Sequence, residues 1–214
     1  AEVLASLQQS RDEERRLVAE LDRARQELQR VRGQLVSLEA LQQAALGQVK
    51  GKGVEWLDRH QLGSRPRLAQ QLVVEPGWDR AVETVLGSYL EAVCVDGLDS
   101  VAALLDSLQV GHVTFVGGGS TDQPPRSSET WLLSRVKGPE AVASLLAGIV
   151  AVESLAEALA RRGSLGPGES IITRDGVWVG HDWLRVSRDQ DEHAGVIGRE
   201  QEIRALRAAL QSAG

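Results

Sequence analysis

A regular spacing of apolar residues in the first segment constrains the fold of this chain more than any other feature of its sequence. Steps of four and three residues alternate along one row of positions, which are Leu17, Leu21, Ala24, Leu28, Val31, Leu35 and Leu38. This is the heptad spacing of a coiled-coil seam, and charged residues of both signs fill the positions between its members. Because a lone helix cannot bury such a seam, the spacing predicts that residues 1–46 form a helix with a helical partner.

The last segment carries a second seam that offers this partner. Its members are Val196, Arg199, Ile203, Leu206, Leu210 and Ala213. If residues 196–214 belong to the same coiled coil, the chain reverses direction between the two helices and they pair antiparallel. The alternative is that each is an ordinary amphipathic helix packed on a central domain. The 214-residue sequence contains no methionine, so we expect it to be an excerpt of a longer chain.

Residues 47–195 have a different composition, because they contain all six Pro and every Trp, Tyr and Phe of the chain. Apolar stretches bounded by Gly and polar residues alternate with amphipathic stretches. The predicted helices are 78–89, 99–108, 139–147 and 154–161, and the predicted strands are 92–95, 112–116, 149–152, 170–173, 177–179 and 183–186. This alternation predicts an α/β (α+β) domain of two related halves, about 47–125 and 126–195.

Three stretches of this domain carry a family resemblance. Residues 77–95 form a helix-then-strand block in which the helix ends near Leu86-Gly87, and Val110–Phe115 form a strand preceded by Gly and ended by Thr-Phe. Gly198–Ile203 open the returning helix. Together with the flanking heptads, these stretches resemble the hinge region of structural maintenance of chromosomes (SMC) proteins, in particular the bacterial condensin SMC.

The resemblance implies a homodimer in which each half of one hinge meets the opposite half of the other. It also implies a chromosome-condensing protein of the cytoplasm, associated with the nucleoid. The full-length protein would carry an ATPase head that uses ATP and Mg²⁺ and is bound by a kleisin subunit. No cofactor is expected in the present residues themselves.

Glycine-bracketed strand ends are the candidate dimer contacts, because a backbone can approach closely beside glycine. The candidates are Gly176, Val177, Trp178, Val179, Gly180, Gly117 and Gly118. The family usually has a glycine pair before the returning helix, whereas this region of the chain has single glycines. The alternative is that these glycines only form turns.

A local excess of positive charge lies where the first helix enters the domain, although the whole chain has a net charge of -6. Its members are Lys50, Lys52, Arg59, Arg65 and Arg67. In the family that the chain resembles, a basic surface at this junction contacts DNA phosphates. Such binding is non-specific and strongly salt-dependent. The alternative is a solvated charged loop.

The sequence predicts neither a catalytic nor a metal site. It lacks the Gly-x-x-x-x-Gly-Lys-Ser/Thr phosphate loop, and its four His residues do not have metal-ligand spacing. The single Cys excludes the Cys-x-x-Cys pair of a zinc-hook protein. An α/β enzyme with helical extensions stays as the alternative, although no constellation of acid, base and nucleophile is visible. No apolar stretch is long enough to span a membrane.

Overall fold

The computed structural model describes residues 2–48, 51–118, 130–186 and 194–212. Lys50 and Ala213 therefore lie outside the described residues. The chain divides into two compact units, one formed by Leu41–Gln201 and the other by Ala1–Ala40 with Glu202–Gly214. Helices and strands are mixed, so the predicted α/β (α+β) class is confirmed.

The first half of the domain follows the long helix α1 (Glu2–Ala45). Its elements are α2 (Lys52–Arg59), β1 (Val73–Val74), α3 (Asp79–Leu86), β2 (Val93–Val95), α4 (Asp99–Ala102) and β3 (Phe115–Gly117). The second half then gives β4 (Val136–Lys137), α5 (Ala141–Leu145), β5 (Ile149–Val152), α6 (Leu155–Arg161), β6 (Ser170–Thr173), β7 (Val177–Val179) and β8 (Leu184–Val186). The returning helix α7 (Val196–Ser212) ends the described chain.

The two halves repeat one order of elements. In each, a 3₁₀ turn precedes a two-residue strand, and a helix, a strand, a second helix and another strand follow. β2 pairs parallel with β3, and β5 pairs parallel with β6, each across a helical crossover. β1 and β4, which occupy the same place in the two halves, pair antiparallel through Val73 with Lys137 and Val74 with Val136. Antiparallel pairing of equivalent strands relates the halves by an approximate two-fold axis.

The second half has a larger sheet than the first. β6, β7 and β8 form antiparallel pairs, which gives the strand order β5-β6-β7-β8. β7 is thus an inner strand, with a neighbour on either side. The first-half sheet, in contrast, contains only β2 and β3 among the described residues.

One core joins the two halves and the ends of the long helices. Leu90 and Leu132, one from each half, are fully buried in it. Leu46, which follows α1, and Val196 and Ile197, which begin α7, are buried in the same cluster. Burying a side chain of this size stabilises a fold by about 1.5–3 kcal/mol, so this core contributes to holding the chain where it enters and leaves the domain.

The base of α7 lies beside the end of α1. Within the larger unit, Gln42 Nε2 donates a hydrogen bond to the Val196 carbonyl oxygen at 2.9 Å. Gln34 and Glu39, which precede Gln42, contact Glu202 and Arg207, which follow Val196, so the two helices run antiparallel, as their seams predicted. Ile203 is buried, whereas Leu17 and Leu21 are 59% and 49% exposed.

Two contacts between the helices lie within the smaller unit. Gln34 Nε2 donates to Glu202 Oε1 at 2.9 Å, and Arg207 approaches Glu39 Oε1 at 2.7 Å. Both pairs flank the apolar seam, which is where polar contacts of a coiled coil are found.

Several predicted elements differ from the observed ones. The predicted helix 78–89 ends at Leu86 and continues as a 3₁₀ turn, because Gly87 has a φ of +48°. The predicted strand 112–116 begins only at Phe115, opposite Val93, since β2 offers three partners. The sequence pattern did not predict α2, β1 or β4.

Candidate functional site

β8 presents an exposed strand edge. Its residues Leu184, Arg185 and Val186 are all exposed, and the two apolar side chains are 50% and 46% accessible. Among the described residues β8 pairs only with β7, so its other side has no strand partner. Exposed strand edges invite pairing with another chain, and natural proteins usually protect them.

β3 presents the second such edge. It pairs with β2 through Phe115, Val116 and Gly117, and no other described strand lies beside it. The exposed side chain of Leu98 lies next to this edge, since a Cβ on Gly117 would be 3.1 Å from Leu98 Cγ. Each half of the domain therefore ends in one strand edge with apolar side chains around it.

The candidate dimer contacts at Val177–Val179 lie one strand away from the observed edge. β7 is paired on both sides, and Val177 and Val179 are buried in the core of their own chain. Trp178 is partly buried, and its Nε1 donates to Ser170 Oγ at 2.9 Å. The backbone of these residues is therefore not a free edge, and their contact with a second copy stays a prediction.

The two glycines beside β7 have roles inside the chain. Gly176 has a φ of +83° in the turn between β6 and β7, where a Cβ would be 2.8 Å from Thr84 Oγ1. At Gly180 a Cβ would overlap the indole ring of Trp183. Turn formation and close packing account for both glycines, and contact with a second copy stays a prediction for them and for Gly117 and Gly118.

A pair of Trp rings supports the start of β8. The Trp178 and Trp183 ring centroids lie 5.4 Å apart in an edge-to-face arrangement, a preferred geometry for aromatic pairs. The Gly180 N–H donates to the Trp183 carbonyl oxygen at 2.9 Å and closes the turn before β8. The chain order contained a signal for this edge, because the last strand of consecutive hairpins usually lies at the outside of a sheet.

The predicted basic patch is only partly present at the surface. Lys52 Nζ lies 2.9 Å from Glu55 Oε2, and an Arg65 guanidinium nitrogen lies 3.0 Å from Asp96 Oδ2. Arg59 is exposed at the end of α2. These pairs are accessible to water, and exposed ion pairs contribute only about 0–1 kcal/mol, so phosphate groups can compete for their cations.

Arg67 does not belong to a surface patch, contrary to the prediction. Its side chain is 3% exposed, and its Nε has no hydrogen-bond partner among the residues that the structure describes. Burial lowers the pKa of Arg67, and the charges of Glu91 and Asp58 oppose this shift. A guanidinium with so little exposure is not one of the exposed cations, and hydropathy patterns alone gave no sign of its burial.

A buried polar cluster lies where α7 begins. On α3, Glu83 accepts hydrogen bonds from the backbone N–H groups of Gly195 and Ile197 at 3.0 and 2.9 Å. Burial raises the pKa of the Glu83 carboxyl, and the two N–H donors act in the opposite direction. Arg199 Nε donates to Gln42 Oε1 at 3.2 Å. This cluster was not predicted from the sequence, although the polar residues Gln42 and Arg199 interrupt two apolar seams.

Two general features of the described residues bear on function. No helix among them has both the length and the apolar character needed to cross a bilayer. Within the same residues, no group of three or more His, Cys, Asp or Glu side chains is arranged to hold a metal ion.

Comparison with known proteins identifies the family of this chain. Residues 61–162 match the family model of the flexible hinge domain of SMC proteins. The chromosome partition protein Smc of Coxiella burnetii is 42% identical over 175 residues, which are 81% of this chain. The chain belongs to the SMC hinge family. The Smc protein of Methylococcus capsulatus is 38% identical to this SMC hinge over 194 residues, or 89% of the chain.

Solved SMC hinges have the same fold. An asymmetric dimer of the Geobacillus stearothermophilus SMC hinge domain matches with a TM-score of 0.69 at 20% identity, over 91% of this chain and 86% of that one. A Pyrococcus furiosus Smc hinge domain with an extended coiled coil matches with a TM-score of 0.51 at 18% identity, over 91% and 75%. The present SMC hinge spans only 15% and 16% of the length of the two Smc proteins named above. The matched family is a hinge domain and not a catalytic domain, so the matches give no support to the enzyme alternative.

Proposed function

We propose that this chain is the dimerisation hinge of a chromosome partition SMC protein, with the hinge over residues 47–195 between coil helices 1–46 and 196–214. The observation that carries the proposal is the pair of strand edges, β3 in one half and β8 in the other, that have no partner among the described residues. The structural relative from Geobacillus stearothermophilus is described as a dimer, which supports self-association here.

The two edges suit each other in a closed pair of chains. If β3 of one copy pairs with β8 of the other, a two-fold axis repeats the contact and uses both edges of both copies. Main-chain hydrogen bonds then provide affinity, as they do wherever a strand is added to a sheet edge. Leu184, Val186 and Leu98 become covered in such a dimer, because they surround the two edges.

A double substitution on β8 tests this interface. Leu184→Glu with Val186→Glu places two carboxylates on exposed positions of the edge strand, so we expect a folded monomer. Leu155→Glu with Leu159→Glu is the matched control, since these exposed leucines lie on α6 and not on a strand edge. Light scattering distinguishes the 23.1 kDa chain from a dimer of twice that mass.

The oligomeric states of the wild type, the β8 variant and the control distinguish three outcomes. A monomeric β8 variant beside a dimeric wild type and control supports the interface. A wild-type chain that is monomeric at micromolar concentration overturns the proposal, and a β8 variant that still dimerises moves the interface away from this edge.

We further propose a weak contact with DNA at the junction of α1 and the domain. The exposed cations Lys52, Arg59 and Arg65 carry it, and their ion pairs are solvated enough for phosphates to compete. Lys50 belongs to the same stretch of sequence but lies outside the described residues. A dimer presents the patch twice, so two weak surfaces act on one DNA molecule.

Salt dependence measures the DNA contact. Lys52→Glu with Arg59→Glu should weaken binding and reduce the slope of log affinity against log salt by about 2, since each phosphate contact on duplex DNA contributes about 0.9. Arg161→Glu with Arg162→Glu makes the same change of charge on the second half and serves as control. Fluorescence anisotropy with single- and double-stranded oligonucleotides gives the affinities. An equal loss in both variants would show a general charge effect, which contradicts a contact at the junction.

The complete protein extends the proposal beyond these residues. By family resemblance, ATP, Mg²⁺ and a kleisin subunit bind head domains outside this chain, and the protein acts on the nucleoid in the cytoplasm. Neither the dimerisation nor the DNA contact proposed for the hinge requires these partners.

A further inference from the structure

A layer of polar side chains replaces apolar ones at the base of the two long helices. Gln42 is buried on α1, and its Nε2 donates to the Val196 carbonyl oxygen at 2.9 Å and lies 3.3 Å from Glu200 Oε2. Arg199 on α7 donates from Nε to Gln42 Oε1 at 3.2 Å and from an Nη to the Ala194 carbonyl oxygen at 3.0 Å. Glu200 is buried as well.

The layer occupies the seam of both helices. Gln42 follows Leu35 and Leu38 with the heptad step, and Arg199 stands between Val196 and Ile203 with the same step. Seam positions favour apolar residues, which bury without the loss of hydration that polar groups suffer. The two polar members of the seams therefore face each other, and a hydrogen bond joins them.

A contribution to the stability of the fold does not by itself explain why this layer is polar. Removing polar groups from water is unfavourable, and apolar replacement of a buried polar network is often neutral or stabilising. The best-attested use of a buried polar residue in a coiled coil is to fix register, because a shifted register leaves it without its partner. The apolar seam by itself discriminates weakly between registers one heptad apart, since every layer is built from similar aliphatic side chains.

A second contact fixes where α7 begins. The Glu83 carboxylate bonds both Gly195 N–H and Ile197 N–H, which are donors without an acceptor inside the helix. Asp79, on the preceding turn of α3, accepts from Gln201 Nε2 at 3.1 Å. α3 thus holds the first turn of α7 from one side, while Gln42 holds it from α1.

We infer that Gln42 and Arg199, together with the Glu83 cap, form a register lock that holds α1 and α7 in a single alignment at the base of the coil. Sliding by one heptad separates Gln42 from Arg199 and leaves Glu83 without the N–H groups of Gly195 and Ile197. The lock ties the end of α1 and the start of α7 to α3, and α3 belongs to the first half of the hinge.

Spin labels on the two helices test the lock. We would label Arg23→Cys and Ala208→Cys, which are exposed positions, in a Cys94→Ser background. Labelled protein is diluted with unlabelled chain so that only distances within one chain are recorded. Pulsed electron paramagnetic resonance should give one distance maximum for the intact lock. A slip of seven residues moves the labels by about 10 Å along the helix axis.

The variant with Gln42→Leu, Arg199→Leu and Glu83→Gln should add at least one maximum displaced by up to about 10 Å, with the helical circular dichroism retained. Glu39→Gln with Arg207→Gln is the matched control, because it removes an exposed ion pair of the same helices. If the triple variant does not fold, the double variant that keeps Glu83 is measured in its place. A single maximum at the wild-type distance in a folded variant overturns the inference, as would a second maximum in the control.

Discussion

Glu83 is the buried carboxylate whose surroundings give the protein a defined response to pH. Burial raises its pKa, while the N–H groups of Ile197 and Gly195 and the charge of Arg199 lower it and Asp79 adds to the increase. A raised folded-state pKa means that the folded chain binds a proton at pH values where the unfolded chain has released it. The stabilisation is then complete below the ordinary glutamate pKa and is lost as the pH rises through the folded-state value.

We therefore expect wild-type protein to gain stability relative to Glu83→Gln as the pH falls from neutral towards the ordinary glutamate range. Glutamine keeps the size of the side chain but does not titrate, so the difference in the free energy of unfolding isolates this carboxyl. Chemical denaturation at a series of pH values measures it. Glu140→Gln, on an exposed carboxyl, is the control and should follow wild type throughout. A difference that stays constant with pH would contradict the assignment.

At the scale of single residues, the sequence predicted the charge of a side chain better than its exposure to solvent. Lys52 and Arg59 were predicted as exposed cations and are exposed, whereas Arg67 has the same charge and is buried. Its burial follows from the bridge between Arg67 and Val93, which lies on β2. Residues that are far apart in the sequence can contact each other without any sign in the local composition. Charge alone therefore predicted a basic patch that wrongly included the buried Arg67.

At the scale of elements, regular patterns predicted structure well where the pattern was long or sharply bounded. β5, β6 and β7 have the predicted bounds, and the heptad seam predicted both α1 and its antiparallel partner. β1 and β4 were not predicted because each strand has only two residues. Each is a strand only because it pairs with the other. A two-residue strand is too short for any periodicity to show.

Which strand lies at the edge of a sheet is also decided at the scale of elements, and local sequence patterns do not predict it. Val177–Val179 and Leu184–Val186 are both short apolar stretches, and either can be an inner or an outer strand. The pairing of β7 with β6 and with β8 decides between them. A positive φ at Gly176 and the Trp183 ring beside Gly180 give these two glycines roles inside the chain, and their contact with another chain stays a prediction.

At the scale of the whole molecule, self-association must contribute to stability if the strand edges are covered in a dimer. Association stabilises the folded state by mass action, so the unfolding midpoint rises with protein concentration. For a chain of this size we expect a rise of about 3–6 °C over a hundredfold range of concentration. The Leu184→Glu, Val186→Glu variant, expected to be monomeric, should show no rise, and the Leu155→Glu, Leu159→Glu control should follow wild type. Circular dichroism under conditions of reversible unfolding measures all three. A wild-type midpoint that is independent of concentration would show that the two edges are stable without a partner, and the dimerisation hinge would lose its energetic basis.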